Sequence, residues 1–478
     1  VAEDQCLGLV GGDRACDQEP LRPVAAALLD EVEVVGRLDA LGHHRLAQRT
    51  AQLDDGQHHG RVEQQRPQPQ AVEPVAEAGA RPPPPPPPPG PASAQQATPA
   101  PAQTAPVRVA SGVQYELIAR WDVARLNQIL TTDTPKFAGI TVSYTPARNA
   151  VKLYRVTYPS VVPEQGNRPI SATGLLAVPD TAETVFPMVS YQHGTVYGRE
   201  QVPSFPEQSP ETQLMIAQFA GQGYLVTGAD YFGMGASKEP EGYLVKGSHQ
   251  QATYDMVLAS RAVLADLKLS DSKLFLSGWS QGGFVTLAML EKLEAVGMPV
   301  NAATTASAPA DAFAAFNGFL NFPRKIDASW ITTIFMLNVF SFENYHNMPG
   351  LARSLLTDET YEISRKAYYR EPFDPAAVPT DLRKLIRPEY FDAQFFANSA
   401  YGRLVAQTSA YRWVIKTPVR TYYGLTDEAI RIEIGRLPMT YQKAIGNDKV
   451  EAVPTGDTSH RGTFATAVPQ WKAWFDAQ

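Results

Sequence analysis

The stretch of sequence that decides the fold is Leu274-Phe275-Leu276-Ser277-Gly278-Trp279-Ser280-Gln281-Gly282-Gly283-Phe284. It contains the pentapeptide G-x-S-x-G, which ordinary composition would produce by chance in roughly one chain in seven of this length. Its setting carries more weight, because an apolar strand-like run precedes it and a helical pattern follows it. A sharp strand-to-helix turn needs glycines where side chains would clash. The stretch therefore predicts a turn that exposes Ser280 as a candidate nucleophile; the alternative is a glycine-rich turn with an incidental serine.

An alternation of strand and helix patterns extends in both directions from this turn. Runs that predict strands lie at 140–144, 151–158, 170–178, 185–191, 224–228, 273–276, 300–306, 419–423 and 449–453. Helical spacing is found at 210–221, 251–267, 282–296, 429–445 and 464–475. Strands that alternate with helices of this length predict an α/β fold, with a mostly parallel central sheet flanked by helices on both faces.

The alternation is interrupted after Ala308 for about a hundred residues. Aromatic residues are concentrated in this interval, and prolines at 323, 349, 372, 375 and 379 divide its helical stretches. A loop of this length without structure of its own is uncommon. We therefore predict an inserted, mainly helical cap (lid) over 309–413, and an α/β core made of 111–308 and 414–478.

Residues 1–110 differ in composition from the rest of the chain. They include no Phe, Tyr, Trp, Ile, Met, Lys or Asn, and an uninterrupted run of prolines occupies 82–89. Such a segment cannot offset the entropy of ordering its backbone, so we predict a disordered leader. The restricted set of residue types in this segment, together with Val1 as its first residue, also suggests upstream sequence that was translated from a mis-assigned start or reading frame. The stretch 91–96 has the small-residue character of a signal-peptide cleavage site without the apolar segment that should precede it, and on this ground we expect a secreted or periplasmic protein.

Composition excludes several classes of protein. The chain has 478 residues, 44% of them hydrophobic, which is enough for a large buried core. A net charge of -7 provides no basic surface for nucleic acid. Both cysteines, Cys6 and Cys16, lie in the predicted leader, so the rest of the chain has no disulfide, cysteine metal site or thiol nucleophile. No apolar stretch approaches the length of a transmembrane helix.

A serine hydroxyl needs a base that takes its proton, and His460 is the candidate. After Ser111 the chain has four histidines: His193, His249, His346 and His460. His193 ends a predicted core strand, His249 opens a helix upstream of the serine, and His346 lies in the predicted cap. Only His460 follows the last predicted strand, and the order serine, acid, histidine accompanies this type of strand-to-helix turn. We therefore predict that His460 is the general base.

The acid that orients the histidine should follow the first strand after the cap. That strand is followed by Gly424-Leu425-Thr426-Asp427-Glu428. We assign the role to Asp427, which would hold the imidazole tautomer and stabilise its charged form. Glu428 and Asp457 are alternatives, and any of the three could instead be a charge at a helix N-terminus.

Acyl transfer also needs N–H donors at the position where negative charge develops on the carbonyl oxygen. One candidate is the backbone N–H of Gln281, the residue after the nucleophile. The second should come from the loop after the third core strand, His193-Gly194-Thr195. In this loop Gly194 would allow close approach of substrate, and the N–H of Thr195 is the better donor. The alternative is that His-Gly is only a turn that ends the strand.

Three segments together resemble the signatures of α/β-hydrolase serine esterases, in particular secretory lipases and bacterial carboxylesterases. They are Tyr191-Gln192-His193-Gly194-Thr195, Asp230-Tyr231-Phe232-Gly233-Met234-Gly235 and Gly278-Trp279-Ser280-Gln281-Gly282-Gly283. The resemblance covers 111–478. It implies an eight-stranded sheet, a cap after the sixth strand, and hydrolysis of carboxylic esters without a cofactor or metal. A single His-Gly in place of HGGG disfavours the hormone-sensitive-lipase-like esterases. We expect Tyr231, Trp279 and His193 to contact substrate, although for Tyr231 ordinary packing is an equal alternative.

Three functions are compatible with these observations. The first is a carboxylesterase or lipase acting on apolar or aromatic acyl esters, whether small molecules, lipids or polymers. The second is a serine peptidase, such as an aminopeptidase, that would bind a substrate amine through acids of the cap at Glu343, Asp358, Glu359 and Glu362. The third is a catalytically idle binding module, which the intact serine, aspartate and histidine order disfavours.

Overall fold

The computed structural model describes residues 105–109 and 111–478. The predicted leader, except for its last few residues, lies outside this range, and so do both cysteines. The expectation of export, which rested on 91–96, therefore stays a prediction. Within the described range, no helix is both long enough and apolar enough to cross a bilayer.

Ten strands of the described chain form one mixed sheet, in the spatial order β1-β2-β3-β4-β6-β5-β7-β8-β9-β10. The strands β1 to β4 and the pair β4–β6 are antiparallel, whereas β6, β5, β7, β8, β9 and β10 run parallel. Their bounds are β1 (Val107–Arg108), β2 (Gln114–Trp121), β3 (Val151–Val162), β4 (Arg168–Pro179), β5 (Val185–Gln192), β6 (Leu225–Ala229), β7 (Ser270–Trp279), β8 (Ala302–Ala306), β9 (Val419–Tyr423) and β10 (Val450–Pro454). The predicted α/β fold with a mostly parallel sheet is confirmed.

The number of strands differs from the eight that the resemblance implied. The strands β3 to β10 are the implied eight, and β1 and β2 extend the antiparallel edge. The sequence of β2 did not signal a strand, because only Tyr115 and Trp121 in it are fully buried and no regular alternation results.

The strand predicted at 140–144 is wrong. The segment alternates in burial as a strand would, but it has no regular secondary structure. Its last residue, Tyr144, donates its hydroxyl to the carbonyl of Ala465, 2.9 Å away on the C-terminal helix. Alternating burial here reflects packing on a helix rather than pairing with a strand.

Fourteen α-helices accompany this sheet in the described chain. They are α1 (Val123–Gln128), α2 (Thr134–Ala138), α3 (Pro210–Gln218), α4 (Lys246–Asp266), α5 (Gln281–Ala295), α6 (Ala312–Asn321), α7 (Ile331–Tyr345), α8 (Leu351–Leu355), α9 (Asp358–Tyr369), α10 (Leu382–Leu385), α11 (Ala393–Asn398), α12 (Ala400–Ala406), α13 (Ile432–Ala444) and α14 (His460–Asp476). The five helices predicted outside the insertion correspond to α3, α4, α5, α13 and α14, with ends that differ by a few residues.

The insertion between β8 and β9 contains α6 to α12. Its prolines lie between helices, as expected from the missing N–H of proline. The two ends of the insertion meet, because Asp311 pairs with Ser409 in an isolated antiparallel bridge and Ala410 N–H donates to the carbonyl of Ala310, 2.8 Å away. The insertion therefore leaves and rejoins the sheet at one point.

Apolar side chains fill both faces of the sheet. Neighbouring residues of β7 point to opposite faces, so that Leu276 belongs to one core cluster and Phe275 to the other. The cluster around Leu276 continues into the insertion, where it includes Phe342 of α7. The cluster around Phe275 is closed by Trp471 of α14. The insertion thus shares its core with the sheet, and the loops at the carboxyl ends of the parallel strands lie beneath it.

Candidate active site

Ser280 occupies the sharp turn between β7 and α5. Its backbone has φ 56° and ψ −123°, a conformation that non-glycine residues seldom adopt. A Cβ on Gly278 would overlap the carbonyl of Gly282, and a Cβ on Gly282 would overlap the carbonyl of Gln192 on β5. The two glycines are therefore required by close packing of strand, helix and neighbouring strand, and this packing holds Ser280 in the strained turn.

A chain of hydrogen bonds joins Ser280, His460 and Asp427. The Ser280 hydroxyl lies 2.9 Å from Nε2 of His460. Nδ1 of the same imidazole lies 3.0 Å and 3.1 Å from the two carboxylate oxygens of Asp427. A proton on Nδ1 bonds to the carboxylate and leaves Nε2 free to accept the serine proton. Ser280 and His460 are 180 positions apart along the chain, and Asp427 and His460 are 33 apart. The fold thus brings the three side chains within hydrogen-bonding distance of one another in series.

Asp427 lies in a buried site that favours its charged form. Burial by itself raises the pKa of this carboxyl, but the charge and hydrogen bond of His460 and a bond from Ser307 together hold the pKa below its usual value. The Ser307 hydroxyl donates over 2.6 Å, and the backbone N–H groups of Ala429 and Ile430 each donate over 2.8 Å. The site is therefore built for a carboxylate.

The two alternative acids are placed differently. Glu428 accepts a hydrogen bond of 2.9 Å from the backbone N–H of His460, so it holds the start of α14 rather than the imidazole. Asp457 is exposed to solvent. Of the three acids that the sequence left open, Asp427 alone bonds to the imidazole in this structure.

The loop after β5 faces the turn that carries Ser280. Gln281 is the first residue of α5, so its backbone N–H has no partner within the helix. Thr195 lines the same pocket as Ser280, and its hydroxyl lies 3.2 Å from the hydroxyl of Tyr243. Gln281 and Thr195 therefore remain the candidate donors for an oxyanion.

The predicted role of Gly194 needs correction. Its N–H already donates to a carboxylate oxygen of Glu211, 2.8 Å away. A Cβ at this position would come within 2.9 Å of the Trp279 ring. Gly194 is thus required by close packing inside the protein, and its N–H is not available to substrate.

Glu211 is a buried carboxyl beneath this loop that the sequence did not indicate. It lies on α3 and accepts hydrogen bonds from the Tyr191 hydroxyl at 2.6 Å and from Gly194 N–H. Burial raises the pKa of Glu211 to about 7, against the lowering effect of these two bonds and of the nearby His460. Only a Pro-Glu pair at the start of a predicted helix marked it in the sequence, and such a pair ordinarily signals a helix N-terminus.

His193 and Tyr231 do not line the pocket, which is contrary to the prediction for His193 and agrees with the packing alternative for Tyr231. Both are buried, and their rings stack with centroids 4.0 Å apart. The ring nitrogens of His193 lie 2.8 Å from the carbonyl of Gly194 and 3.2 Å from that of Asp230, while the Tyr231 hydroxyl donates to the carbonyl of His193. Burial lowers the pKa of His193 to about 4, so it stays neutral. These two residues tie the loops after β5 and β6 together.

His249 extends this buried support to the nucleophile turn. Its Nε2 accepts a hydrogen bond from Leu244 N–H at 3.1 Å and lies 3.4 Å from the side-chain amide of Gln281. Burial and the neighbouring His193 lower the pKa of His249 to about 3, which keeps Nε2 an acceptor.

Trp279, the third predicted substrate contact, also faces inward. Its indole N–H donates to the carbonyl of His460 at 3.1 Å, and its ring stacks on Phe464. Trp279 therefore supports the first residue of α14, which is the histidine itself, instead of lining the pocket.

The pocket next to Ser280 is apolar and narrow. Its free volume is about 30 Å³, roughly that of one water molecule. The insertion forms one wall, and the segments after β5, β6, β7 and β9 form the rest. The lining residues are Thr195, Tyr243, Leu244, Ser280, Pro309, Ala312, Ala315, Phe316, Phe319, Trp330, Ile331, Ile334, Ala429 and Ile430.

Trp330 reaches from the insertion to the histidine. Its ring centroid lies 5.8 Å from that of His460. The sequence indicated an aromatic insertion but not which aromatic residues face the serine, because its short helices follow no single periodicity.

The four acids weighed for a peptidase lie away from the pocket. Glu343 accepts a hydrogen bond from the backbone of Ala352 at 2.7 Å. Asp358 pairs with Arg387, and Glu362 with Arg365, in exposed ion pairs. Glu359, like Asp358, lies in the first turn of α9. All four acids therefore have structural roles on helices and none faces the pocket. Among the residues that the model describes, no three His, Cys, Asp or Glu side chains are grouped as a metal site would require.

Comparison with solved structures identifies the fold. A protein of Legionella pneumophila, provisionally assigned to the hydrolases, aligns with a TM-score of 0.67 and 20% identity over 76% of this chain and 98% of its own. The rice cell wall degrading esterase LipA of Xanthomonas oryzae aligns with a TM-score of 0.63 and 20% identity, over 76% and 96% of the two chains. Candida antarctica lipase A aligns with a TM-score of 0.51 and 17% identity, over 72% and 77%. No protein-family model and no curated protein matches the sequence. At these identities the likeness shows the α/β-hydrolase fold.

Proposed function

We propose that this protein is a serine hydrolase that cleaves carboxylic esters through an acyl-enzyme intermediate. The observation that carries the proposal is the line of hydrogen bonds from the Ser280 hydroxyl through His460 to Asp427. A hydroxyl within bonding reach of a base, itself oriented by a buried carboxylate, is the arrangement that activates serine.

The proposed reaction begins when Oγ of Ser280 attacks the ester carbonyl and its proton passes to Nε2 of His460. The N–H groups of Gln281 and Thr195 stabilise the oxyanion that forms, and Asp427 stabilises the imidazolium. The C–O bond then breaks, and Nε2 gives its proton to the departing alcohol. A water molecule attacks the acyl-enzyme and transfers its proton to Nε2, which returns it to Ser280 as the acid leaves.

The lining of the pocket favours esters with apolar acyl groups. Ala312, Phe316, Trp330 and Ile331 offer only aliphatic and aromatic surface beside Ser280. No acidic side chain contributes to the lining, so a substrate amine would find no charged partner there. For this reason we favour an esterase over an aminopeptidase. The names of two structural neighbours, an esterase and a lipase, agree with this choice.

Two assays test the proposal together. A fluorophosphonate probe should label the wild-type protein and not Ser280→Ala, because only an activated serine reacts quickly. The matched control is Ser270→Ala, at the exposed opposite end of the same strand β7, which should label normally. p-Nitrophenyl acyl esters should be hydrolysed and aminoacyl-p-nitroanilides should not. Turnover confined to the anilides would replace the esterase assignment by a peptidase, and a probe that leaves Ser280 unlabelled would favour an idle binding module.

A further inference from the structure

A second and larger cavity lies on the molecule outside the pocket at Ser280. Its volume is about 320 Å³, roughly ten times that of the pocket. Arg199 on the loop after β5, residues 238–241 on the loop after β6, and Asn344, Tyr368, Tyr369 and Arg370 of the insertion form its walls. None of these residues lines the pocket at Ser280. We call this cavity the basic cleft.

The positive charges of the basic cleft outnumber the carboxylates available to them. Arg199, Lys238 and Arg370 face two carboxylates, Glu239 and Glu241. Glu241 is buried and pairs with Arg370. Glu239 pairs with Arg168, which is outside the cleft. Each carboxylate therefore already has a cationic partner, and the charges of Arg199 and Lys238 remain.

Arg199 is half-buried, and its charge is not matched by a carboxylate in an ion pair of the described residues. One of its guanidinium nitrogens donates to the carbonyl of Ser237, a neutral acceptor. Burial lowers the pKa of Arg199, and the nearby charge of Arg370 lowers it further, against the opposing effect of Glu241. Glu241 already acts on both guanidiniums, but it supplies one negative charge for two positive ones, so a further anion beside Arg199 is stabilised.

The rest of the cleft is polar, and hydrogen bonds join its residues. The Tyr368 hydroxyl donates to the carbonyl of Glu241 at 2.6 Å, and the side-chain amide of Asn344 lies 3.1 Å from the Tyr369 hydroxyl. Tyr369 is 42% exposed and presents its ring at the rim. Lys238 is exposed on the opposite loop, where its ammonium can turn toward a ligand.

We propose that the basic cleft is a binding site for a small organic anion, a carboxylate or a phosphate, held by Arg199 and Lys238. The anion is either a free molecule or the charged alcohol portion of an ester. Binding of a free anion does not depend on the proposed hydrolytic activity. Binding of the alcohol portion of an ester substrate rests on that proposed function.

The test is calorimetric titration of the full chain with citrate and, separately, with inorganic phosphate at constant ionic strength set by sodium chloride. We expect saturable binding of at least one of the two anions, weakened at least tenfold in Arg199→Gln and several-fold in Lys238→Gln. Lys238 is exposed, so its substitution leaves the fold intact if Arg199→Gln proves unstable.

Arg120→Gln, a surface arginine paired with Asp180, is the matched control and should bind as the wild type does. Heats no larger than those of sodium chloride, or equal affinity in Lys238→Gln and the wild type, would overturn the proposal.

A kinetic comparison then separates the two sources of the anion. If the anion belongs to the substrate, Arg199→Gln and Lys238→Gln raise KM for an ester with a carboxylate on its alcohol portion and leave a neutral ester unchanged. If it is a free molecule, citrate or phosphate raises the unfolding temperature while KM for both esters is the same in the variants. Should no ester be hydrolysed, the titration still decides whether the cleft binds anions.

Discussion

At Asp427 and Glu428 two neighbouring carboxyl groups hold different parts of the same residue. Asp427 bonds to the imidazole of His460, and Glu428 bonds to its backbone N–H. We predict that Asp427→Asn lowers kcat by about 10⁴-fold, because an amide favours the wrong imidazole tautomer. Glu428→Gln retains an acceptor for the backbone and should keep kcat within about tenfold of the wild type. Steady-state ester hydrolysis measures both, and the reverse ranking would move the acid to Glu428.

Glu211 makes stability depend on pH. Its pKa is about 7 in the folded protein, because of burial, and 4.5 is its ordinary value. Between these values the unfolded chain has lost the proton that the folded protein keeps, so stability falls as pH rises from about 4.5 to about 7. Glu211→Gln accepts the same bonds from Tyr191 and Gly194 and does not titrate.

We therefore predict that Glu211→Gln gains stability relative to the wild type between pH 5 and pH 8, by on the order of 3 kcal/mol. Urea unfolding of the two proteins at both pH values measures the difference. A gap that stays constant with pH would show that Glu211 titrates in the folded protein as it does in the unfolded chain, so that its pKa is not raised.

At the scale of elements, the start of α7 closes the pocket. Trp330 precedes this helix and brings its ring over His460. Trp330→Ala should enlarge the apolar pocket and raise kcat/KM for octanoyl relative to acetyl esters by about tenfold, since each buried methylene contributes to binding. Phe373→Ala, an exposed aromatic of the insertion outside the pocket, is the control and should leave the ratio unchanged. An unchanged ratio in Trp330→Ala would place the acyl chain elsewhere.

The elements themselves were largely predictable because their signals are local. Apolar alternation, helical spacing and the G-x-S-x-G turn are properties of neighbouring residues, and they located β3 to β10 and α3, α4, α5, α13 and α14. The errors have a common cause. The segment 140–144 alternates without a strand to pair with, and β2 pairs without a clear alternation, because pairing depends on residues far along the chain.

For the molecule as a whole, the insertion and the sheet share one apolar cluster. Phe342 of the insertion and Leu287 of α5 both belong to it, and both are fully buried. We predict a single cooperative unfolding transition for the described chain, with coincident midpoints by tryptophan fluorescence and far-UV circular dichroism. Phe342→Ala and Leu287→Ala should each shift both midpoints together, with losses of about 2 to 5 kcal/mol. Separate transitions would indicate that the insertion folds as its own unit.

The sequence by itself determined the α/β fold and the sharp turn at Ser280, and it proposed His460 as the base and Asp427, with Glu428 and Asp457 as alternatives, as the acid by their order along the chain. Only the tertiary structure decided that Gly194 donates to Glu211, that His193, Tyr231 and Trp279 turn inward, and which side chains of the insertion face the serine. The physical reason is the distance along the chain over which each property is decided. A periodicity or a turn follows from adjacent residues, whereas the direction of a side chain depends on what packs against it from distant parts of the chain.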